Sequence, residues 1–182
     1  MKSTTCILMS ALLIGIGSGA GAATAPAATP AKPTAGPAKA GPSNEARIRA
    51  LEARFVDAVR AKNVNAIMRV YAPDVFVFDV VPPRQYVGAA AYRKDWQGYV
   101  EHFKGQVKFD VSDLRIIVSG DMAYSHSIQT ISGVDAKGTS TPMTVRVTDV
   151  YRKHGGAWKI VQEHVSVPVD LDTDKPDLTS AP

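Results

Sequence analysis

The segment from Thr148 to Val169 limits the possible folds more than any other part of the chain, and it reads TDVYRKHGGAWKIVQEHVSVPV. Its pattern predicts a strand, a tight turn at Gly155-Gly156 and a second strand that begins at Trp158. Paired glycines favour a hairpin turn because glycine adopts positive φ angles without steric cost. The chain is therefore expected to contain an antiparallel sheet.

Apolar residues recur at helical spacing in the part of the chain that precedes the predicted sheet. Ser43 and Asn63 are predicted helix N-caps, Tyr71 is assigned to the end of the second helix, and a third helix is expected from Gly88 to Gly105. The predicted fold class is α+β, with helices on one face of a mostly antiparallel, bent sheet. Alternating apolar residues predict strands over residues 75–81, 107–118, 122–131, 143–153 and 158–169.

The alternation changes phase within the long strand predicted at residues 107–118. Odd-numbered residues are apolar from Val107 to Val111, and even-numbered residues are apolar from Leu114 to Val118. A slip of one residue indicates a β-bulge at Ser112-Asp113, and a bulge bends its strand. The sheet is therefore expected to be curved.

The first 42 residues differ in composition from the remainder. Residues 1–22 combine a basic start, a short apolar run and the small-residue pattern Ala20-Gly21-Ala22, which together predict a secretory signal peptide. Residues 23–42 are almost wholly Ala, Pro, Gly, Thr and Lys and predict a disordered linker. The folded domain is predicted at 43–171 with a flexible tail at 172–182, and the protein is expected to be periplasmic or secreted.

Charge and cysteine content exclude several classes of partner and site. The net charge is +4 and basic residues are interspersed with acidic ones, so no nucleic-acid binding is predicted. The single cysteine, Cys6, lies in the predicted signal peptide, so neither a disulfide nor a cysteine nucleophile is expected after cleavage. No membrane association is expected after cleavage. No phosphate loop, nucleophile elbow or close histidine pair is present, so neither a metal nor a cofactor is predicted.

Alternate residues of a strand point to opposite faces of the sheet, so odd or even numbering (the parity) indicates which polar side chains face the interior. Asp149 shares its parity with apolar residues, and the inward set of the last strand is read as Trp158 and Ile160 followed by Gln162, His164 and Ser166. Polar groups at the wide end of a curved sheet are expected to line a ligand pocket. The predicted catalytic residues are Asp79, Asp149, His126 and His164, with a hydrogen bond expected between His164 and Asp149.

Three motifs carry a resemblance to a known family. They are Arg146-x-Thr148, the turn Gly155-Gly156-x-Trp158-Lys159-Ile160 and the ending Glu163-His164-Val165-Ser166. On these residues the chain resembles the SnoaL-like branch of the nuclear transport factor two-like superfamily, which includes ketosteroid isomerases and scytalone dehydratase. It is also similar to the association domain of calcium/calmodulin-dependent kinase II.

The resemblance implies a cone-shaped antiparallel sheet wrapped around N-terminal helices, a cystatin-like α+β barrel with an internal cavity, and usually a homodimer. Ketosteroid isomerases use an acidic base together with a tyrosine and a second acid. Here Asp79 or Asp149 corresponds to the base, and Tyr86 or Tyr71 to the tyrosine donor. The predicted ligand-binding residues are Tyr71, Tyr86, Trp96, Tyr124 and Gln162.

Two functional hypotheses follow. The first is an exported pocket protein of the ketosteroid isomerase-like type that binds a small apolar or amphipathic molecule and acts as an isomerase, dehydratase or hydrolase without a cofactor. The second is a non-catalytic ligand-binding or homo-oligomerisation module. Its isologous dimer face is expected to consist of outward residues of the last two strands, Thr148, Val150, Val161, Val165 and Val167.

Overall fold

The computed structural model describes residues 41–140 and 142–180, so the predicted signal peptide and residues 23–40 of the predicted linker lie outside the described residues. The helices are α1 (Asn44–Arg60), α2 (Val64–Ile67) and α3 (Ala89–His102). None of the helices in the described ranges is long and apolar enough to cross a membrane. The strands are β1 (Tyr71–Phe78), β2 (Tyr86–Val87), β3 (Phe103–Ser119), β4 (Met122–Asp135), β5 (Met143–His154), β6 (Ala157–Ser166), β7 (Val169–Asp170) and β8 (Lys175–Pro176).

Both predicted helix caps are confirmed. The Ser43 side chain accepts a hydrogen bond from the Ala46 backbone N–H at 3.1 Å, and the Asn63 side chain accepts one from the Ala66 N–H at 3.0 Å. These bonds satisfy amide groups that have no partner within the helix. The buried stripe of α1 faces the sheet and contains Ile48, Leu51, Glu52, Phe55, Ala58 and Val59.

The six-stranded sheet has the order β2-β1-β6-β5-β4-β3, and only the β1–β6 pair within it is parallel. The predicted α+β class with a mostly antiparallel curved sheet is thus confirmed. The sheet is not closed into a barrel, because β2 and β3 remain its two edges. The helices and the inner face of the sheet enclose one apolar core.

Two predicted element boundaries are wrong, in both cases because pairing in the sheet overrides local periodicity. Tyr71 does not end the second helix but begins β1, where it pairs with Ile160 of β6. The third helix ends at His102 rather than at Gly105, because Phe103 already pairs with Asp135 of β4.

The predicted bulge in β3 is confirmed, and β6 also contains a bulge. The register of β3 shifts between Ser112 and Arg115, and Asp113 adopts a φ of 53°. In β6, Ile160 pairs with Tyr151 and Gln162 pairs with Val150, which leaves Val161 as the extra residue. An extra residue reverses the side-chain phase of the strand beyond it.

The segment after β6 contains a small two-stranded sheet formed by β7 and β8. Beyond it, the Leu178 carbonyl accepts a hydrogen bond from the Thr144 N–H at 2.8 Å. The region predicted as a tail therefore includes a residue that hydrogen-bonds to the beginning of β5.

Candidate functional site

A cavity of about 390 Å³ opens between α1, α3 and the inner face of the sheet. Most of its wall is apolar or aromatic, and acidic side chains enter it from three elements. Asp79 follows β1, Asp95 belongs to α3 and Glu163 to β6. The apolar part of the wall includes Phe55, Trp96, Phe109, Ile131, Met143, Val145 and Val165.

Glu163 is the most deeply placed acid of this wall, with 4% of its surface exposed. Its Oε1 accepts a hydrogen bond of 2.5 Å from the Tyr92 hydroxyl, and its Oε2 accepts one of 2.9 Å from the Tyr71 hydroxyl. Tyr71 reaches it because β1 runs parallel to β6, and Tyr92 reaches it from α3. Both oxygens of the carboxyl group are therefore held in fixed positions.

The Tyr92 hydroxyl connects Glu163 with the next acid along the wall. It lies 3.3 Å from Oδ2 of Asp79, whose Oδ1 accepts a hydrogen bond from the Val80 N–H at 2.6 Å. Tyr86 lies close by, with its hydroxyl 2.7 Å from Oδ1 of Asp95. Each of the three acids that line the cavity is thus in contact with a tyrosine hydroxyl.

A second polar layer lies behind Glu163 in the core. Asp149 is the residue directly opposite Glu163 in the β5–β6 ladder. The Tyr151 hydroxyl lies 2.9 Å from Oε1 of Glu52, 2.8 Å from Oγ of Ser125 and 3.4 Å from Oδ2 of Asp149. Three carboxyl groups are thus buried together, whereas no lysine, arginine or histidine among the described residues is buried.

Burial controls the protonation of these acids, because a carboxylate loses its hydration in the core. Burial raises the pKa of Glu163 to about 7, although hydrogen bonds from Tyr92 and Tyr71 oppose the rise. It likewise raises the pKa of Glu52 to about 7 and that of Asp149 well above its ordinary value. The pKa of Asp79 is raised by burial and by the neighbouring Asp95. Glu163 can therefore both take up and release a proton near neutral pH.

Five of the nine predicted site residues lie at this site. Asp79 and Trp96 line the cavity, Tyr71 holds Glu163, and Asp149 and Tyr86 lie beside lining acids. Asp149 points inward as predicted, with 2% exposure. The indole Nε1 of Trp96 is buried and has no acceptor within the described residues.

The other four predicted site residues lie on the outer face of the sheet, and their predicted inward orientation is wrong. On β4 the buried parity is that of Ala123, Ser125 and Ser127, so Tyr124 and His126 point outward and are exposed.

On β6 the Val161 bulge turns Glu163 inward and leaves Gln162 half-buried and His164 exposed on the outer face. His164 pairs across the ladder with Thr148 and therefore cannot hydrogen-bond to Asp149, whose side chain lies on the opposite face.

Sequence reasoning missed Glu163, Glu52, Tyr92 and Tyr151. Two signals could have found the acids. The alternation of apolar residues in β6 shifts by one residue at the adjacent pair Ile160 and Val161. A shift of this kind predicted the bulge in β3. Glu52 lies on the apolar stripe of α1, where a charged residue is unusual. The described residues contain no group of three His, Cys, Asp or Glu side chains that could hold a metal ion.

The chain is similar to several known proteins. The family model for the SnoaL-like domain matches residues 48–170. An NTF2-like protein of unknown function from Pseudomonas putida KT2440 is 30% identical, with a TM-score of 0.69 over 78% of this chain and 100% of that one. No curated protein matches the chain.

Two further solved structures share the fold at lower identity. A putative calcium/calmodulin-dependent protein kinase II association domain from Xanthomonas campestris is 20% identical, with a TM-score of 0.60 over 69% of this chain and 88% of that one. A putative scytalone dehydratase from Novosphingobium aromaticivorans is 18% identical, with a TM-score of 0.59 over 65% of this chain and 80% of that one. With a family model that covers most of the described domain, the chain belongs to the SnoaL-like domain family of the NTF2-like superfamily.

Proposed function

We propose that the protein is an exported enzyme that moves a proton on a small, largely apolar molecule, as an isomerase or dehydratase does, and that Glu163 is its acid–base group. One observation carries the proposal. The Glu163 carboxyl lines an apolar cavity, is fixed by two tyrosine hydroxyls, and has a pKa raised to about 7 by burial. A base with a pKa near the working pH transfers protons most efficiently.

The arrangement divides the chemistry between two acids. Glu163, in its charged form, takes a proton from the carbon next to a carbonyl group of the substrate. In an isomerisation it returns this proton to another carbon, and in a dehydration it delivers it to the hydroxyl group of the β-carbon, which leaves as water. Asp79 lines the same cavity and, in its protonated form, is positioned to donate a hydrogen bond to the substrate oxygen that gains negative charge. Asp149 does not line the cavity, so we assign the role of base to Glu163 instead.

The cavity walls favour a particular kind of substrate. Aromatic and aliphatic side chains dominate the wall, and its three acids outnumber its two basic residues, Lys94 and His102, which disfavours an anionic ligand. We therefore propose a small neutral apolar or amphipathic molecule with a carbonyl group and, for a dehydration, a hydroxyl group on the β-carbon. The dehydratase-like neighbours in the same fold, including the putative scytalone dehydratase, are consistent with such chemistry.

Hydrogen–deuterium exchange provides the test, because it detects proton abstraction before the natural product is known. A panel of small carbonyl compounds is incubated with the protein in D₂O, and deuterium uptake at carbon is followed by NMR. Glu163→Gln should lower the exchange rate by about 10²–10⁴-fold, the usual contribution of general acid–base catalysis. The matched control is Glu101→Gln, which changes an exposed acid of α3 and should leave the rate unchanged.

Equal exchange rates for Glu163→Gln and the unsubstituted protein would contradict the assignment. If ligands raise the melting temperature while none exchanges hydrogen, the non-catalytic binding module is the better description.

The outer face of the sheet favours a second candidate property, homodimerisation. The predicted dimer face needs correction, because Val165 lines the cavity on the inner face. We propose instead a cross-strand row on the outer face, hereafter the outer row, in which each residue pairs with the next. The outer row consists of Phe76, Gln162, Val150, Tyr124 and Ile117.

Light scattering at micromolar concentration tests this surface. Tyr124 and Ile117 are 46% and 42% exposed, which is unusual for neighbouring large apolar side chains on a free surface. We expect a dimer that Tyr124→Glu or Ile117→Glu converts to a monomer. Lys104→Glu, at the far end of β3, should leave the mass unchanged. A monomeric mass for the unsubstituted protein would rule out the outer row as a stable dimer interface.

A further inference from the structure

The buried acids do not have equal access to hydrogen-bond donors. Glu163 accepts from two tyrosine hydroxyls, and Glu52 accepts from the Tyr151 hydroxyl at 2.9 Å. Asp149 has no donor at comparable distance, since the Tyr151 hydroxyl lies 3.4 Å from its Oδ2 and has a nearer carboxyl acceptor in Glu52 at 2.9 Å. Oδ1 of Asp149 has no hydrogen-bond donor among the described residues.

A carboxylate without a donor or a cation is the most costly group to bury, whereas a neutral carboxylic acid is much less so. Asp149 is therefore the member of the cluster that the geometry favours as the neutral acid. Its proton needs an acceptor, and the group opposite it across the ladder is the carboxyl of Glu163. Two carboxyl groups in this position cannot both be charged without strong repulsion.

We propose that Asp149 carries a proton and donates it to Glu163, which makes Asp149 a positioning residue for the acid–base group. Asp149 does not touch the cavity and acts only through Glu163. With this proton, the charged Glu163 is held by three donors, namely Tyr71, Tyr92 and Asp149. The catalytic consequence rests on the proposed function, whereas the protonation itself does not.

A proton on Asp149 stabilises the charged form of Glu163. An apolar cavity disfavours a carboxylate, and a neutral acid beside it supplies a hydrogen bond without adding a second negative charge. Glu163 then gives up and takes up the titrating proton while Asp149 stays neutral. The other titratable groups that face the pair are Glu52 from α1, Tyr71 from β1, Asp79 after β1, Tyr92 from α3 and Tyr151 from β5.

Carbon-13 NMR of glutamate-labelled protein tests the protonation directly, without any substrate. The Glu163 carboxyl signal is identified by its loss in Glu163→Gln, and its titration midpoint is followed in two variants. Asp149→Asn keeps a donor in the same place, so the midpoint should stay close to that of the unsubstituted protein. Asp149→Val removes the donor, so the midpoint should rise by about 1 to 2 pH units, the size of a lost charge-assisted hydrogen bond.

A fall in the Glu163 titration midpoint in both variants would overturn the proposal. If Asp149 were charged, either substitution would remove a neighbouring negative charge, and the Glu163 midpoint would fall in both variants. If Asp149→Val does not fold, as judged by circular dichroism, the Asn variant decides alone, because an unchanged midpoint supports the proposal and a lowered one contradicts it.

Infrared spectroscopy gives a second reading on the folded protein. At pH 8, above the pKa of about 7 of Glu52 and Glu163, a remaining band of a protonated carboxylic acid should be present and should disappear in Asp149→Asn. Absence of this band from the unsubstituted protein would overturn the proposal. Neither spectroscopic result depends on turnover, so a failure of the proposed catalytic function leaves this conclusion standing.

Discussion

The free energy of unfolding is expected to fall as the pH rises from 5 to 8. Burial raises the pKa of Glu52 and of Glu163 from 4.5 to about 7, so the folded protein holds protons that the unfolded chain has already released. Stability decreases with pH wherever the folded state binds more protons than the unfolded state. The stabilising contribution of these acids is therefore complete below about pH 4.5 and is lost through pH 7.

The expected magnitude is large for a domain of this size. One pKa unit corresponds to about 1.4 kcal/mol, so a single carboxyl with this shift contributes about 3 kcal/mol. The three buried acids influence one another, and for that reason we expect a total decrease of at least this amount rather than the sum of separate contributions. Denaturant unfolding at pH 5, 6, 7 and 8 measures it.

Glu52→Gln is the informative variant for this prediction. The glutamine carbonyl can still accept the hydrogen bond from Tyr151, but the side chain cannot ionise. Stability should then depend less on pH, and at pH 8 the variant should equal or exceed the unsubstituted protein. Glu101→Gln, at an exposed position, should keep the original pH dependence. A stability that rises between pH 5 and 8 would contradict the raised pKa values.

Phe55→Ala is expected to produce a large loss of stability. Phe55 is 3% exposed and makes edge-to-face contacts with Tyr71, Trp96 and Phe109, at ring centroid distances of 6.2, 5.5 and 5.7 Å. Truncation of a buried phenylalanine removes buried apolar surface and leaves a void, at a cost of about 3–5 kcal/mol. Denaturant unfolding at pH 6 measures the loss.

The matched control is Asp57→Ala on the exposed side of the same helix. Surface substitutions of this kind usually change stability by less than about 0.5 kcal/mol. A loss below 1 kcal/mol for Phe55→Ala would indicate that the aromatic contacts around it are not maintained in solution. Because Phe55 also lines the cavity, the same variant should bind ligands differently from the unsubstituted protein.

Local signals in the sequence were sufficient for much of the fold. Ser43 and Asn63 cap helices as predicted, since a cap depends on only a few neighbouring residues. The Gly155-Gly156 turn and the bulge near Asp113 are local features of the same kind. The assignment of Tyr71 to a strand was not predictable in this way, because that strand is defined by its pairing with β6, about 90 residues later in the chain.

The site depended even more on tertiary structure. Asp79 and Asp149 were recognised because each follows from strand position or parity. Glu163 was missed because Val161 reverses the phase of β6 without a glycine or proline to mark the bulge. Tyr92 and Glu52 meet their partners from separate helices, and no periodicity within either helix indicates which strand residue they contact.

The bulge at Val161 has a consequence for the comparison of relatives. Glu163 and His164 are consecutive in sequence, yet one lines the cavity and the other packs its ring against Phe78 on the outer face, at a centroid distance of 5.6 Å. In this chain the inward-facing Glu163 comes three residues after the inward-facing Ile160. In a strand without the extra residue, the corresponding inward position comes two residues after it. An alignment without a gap at Val161 would match Glu163 with an outward-facing residue of such a strand. For a relative without the bulge, correct assignment of the cavity residues therefore requires a one-residue gap at this position.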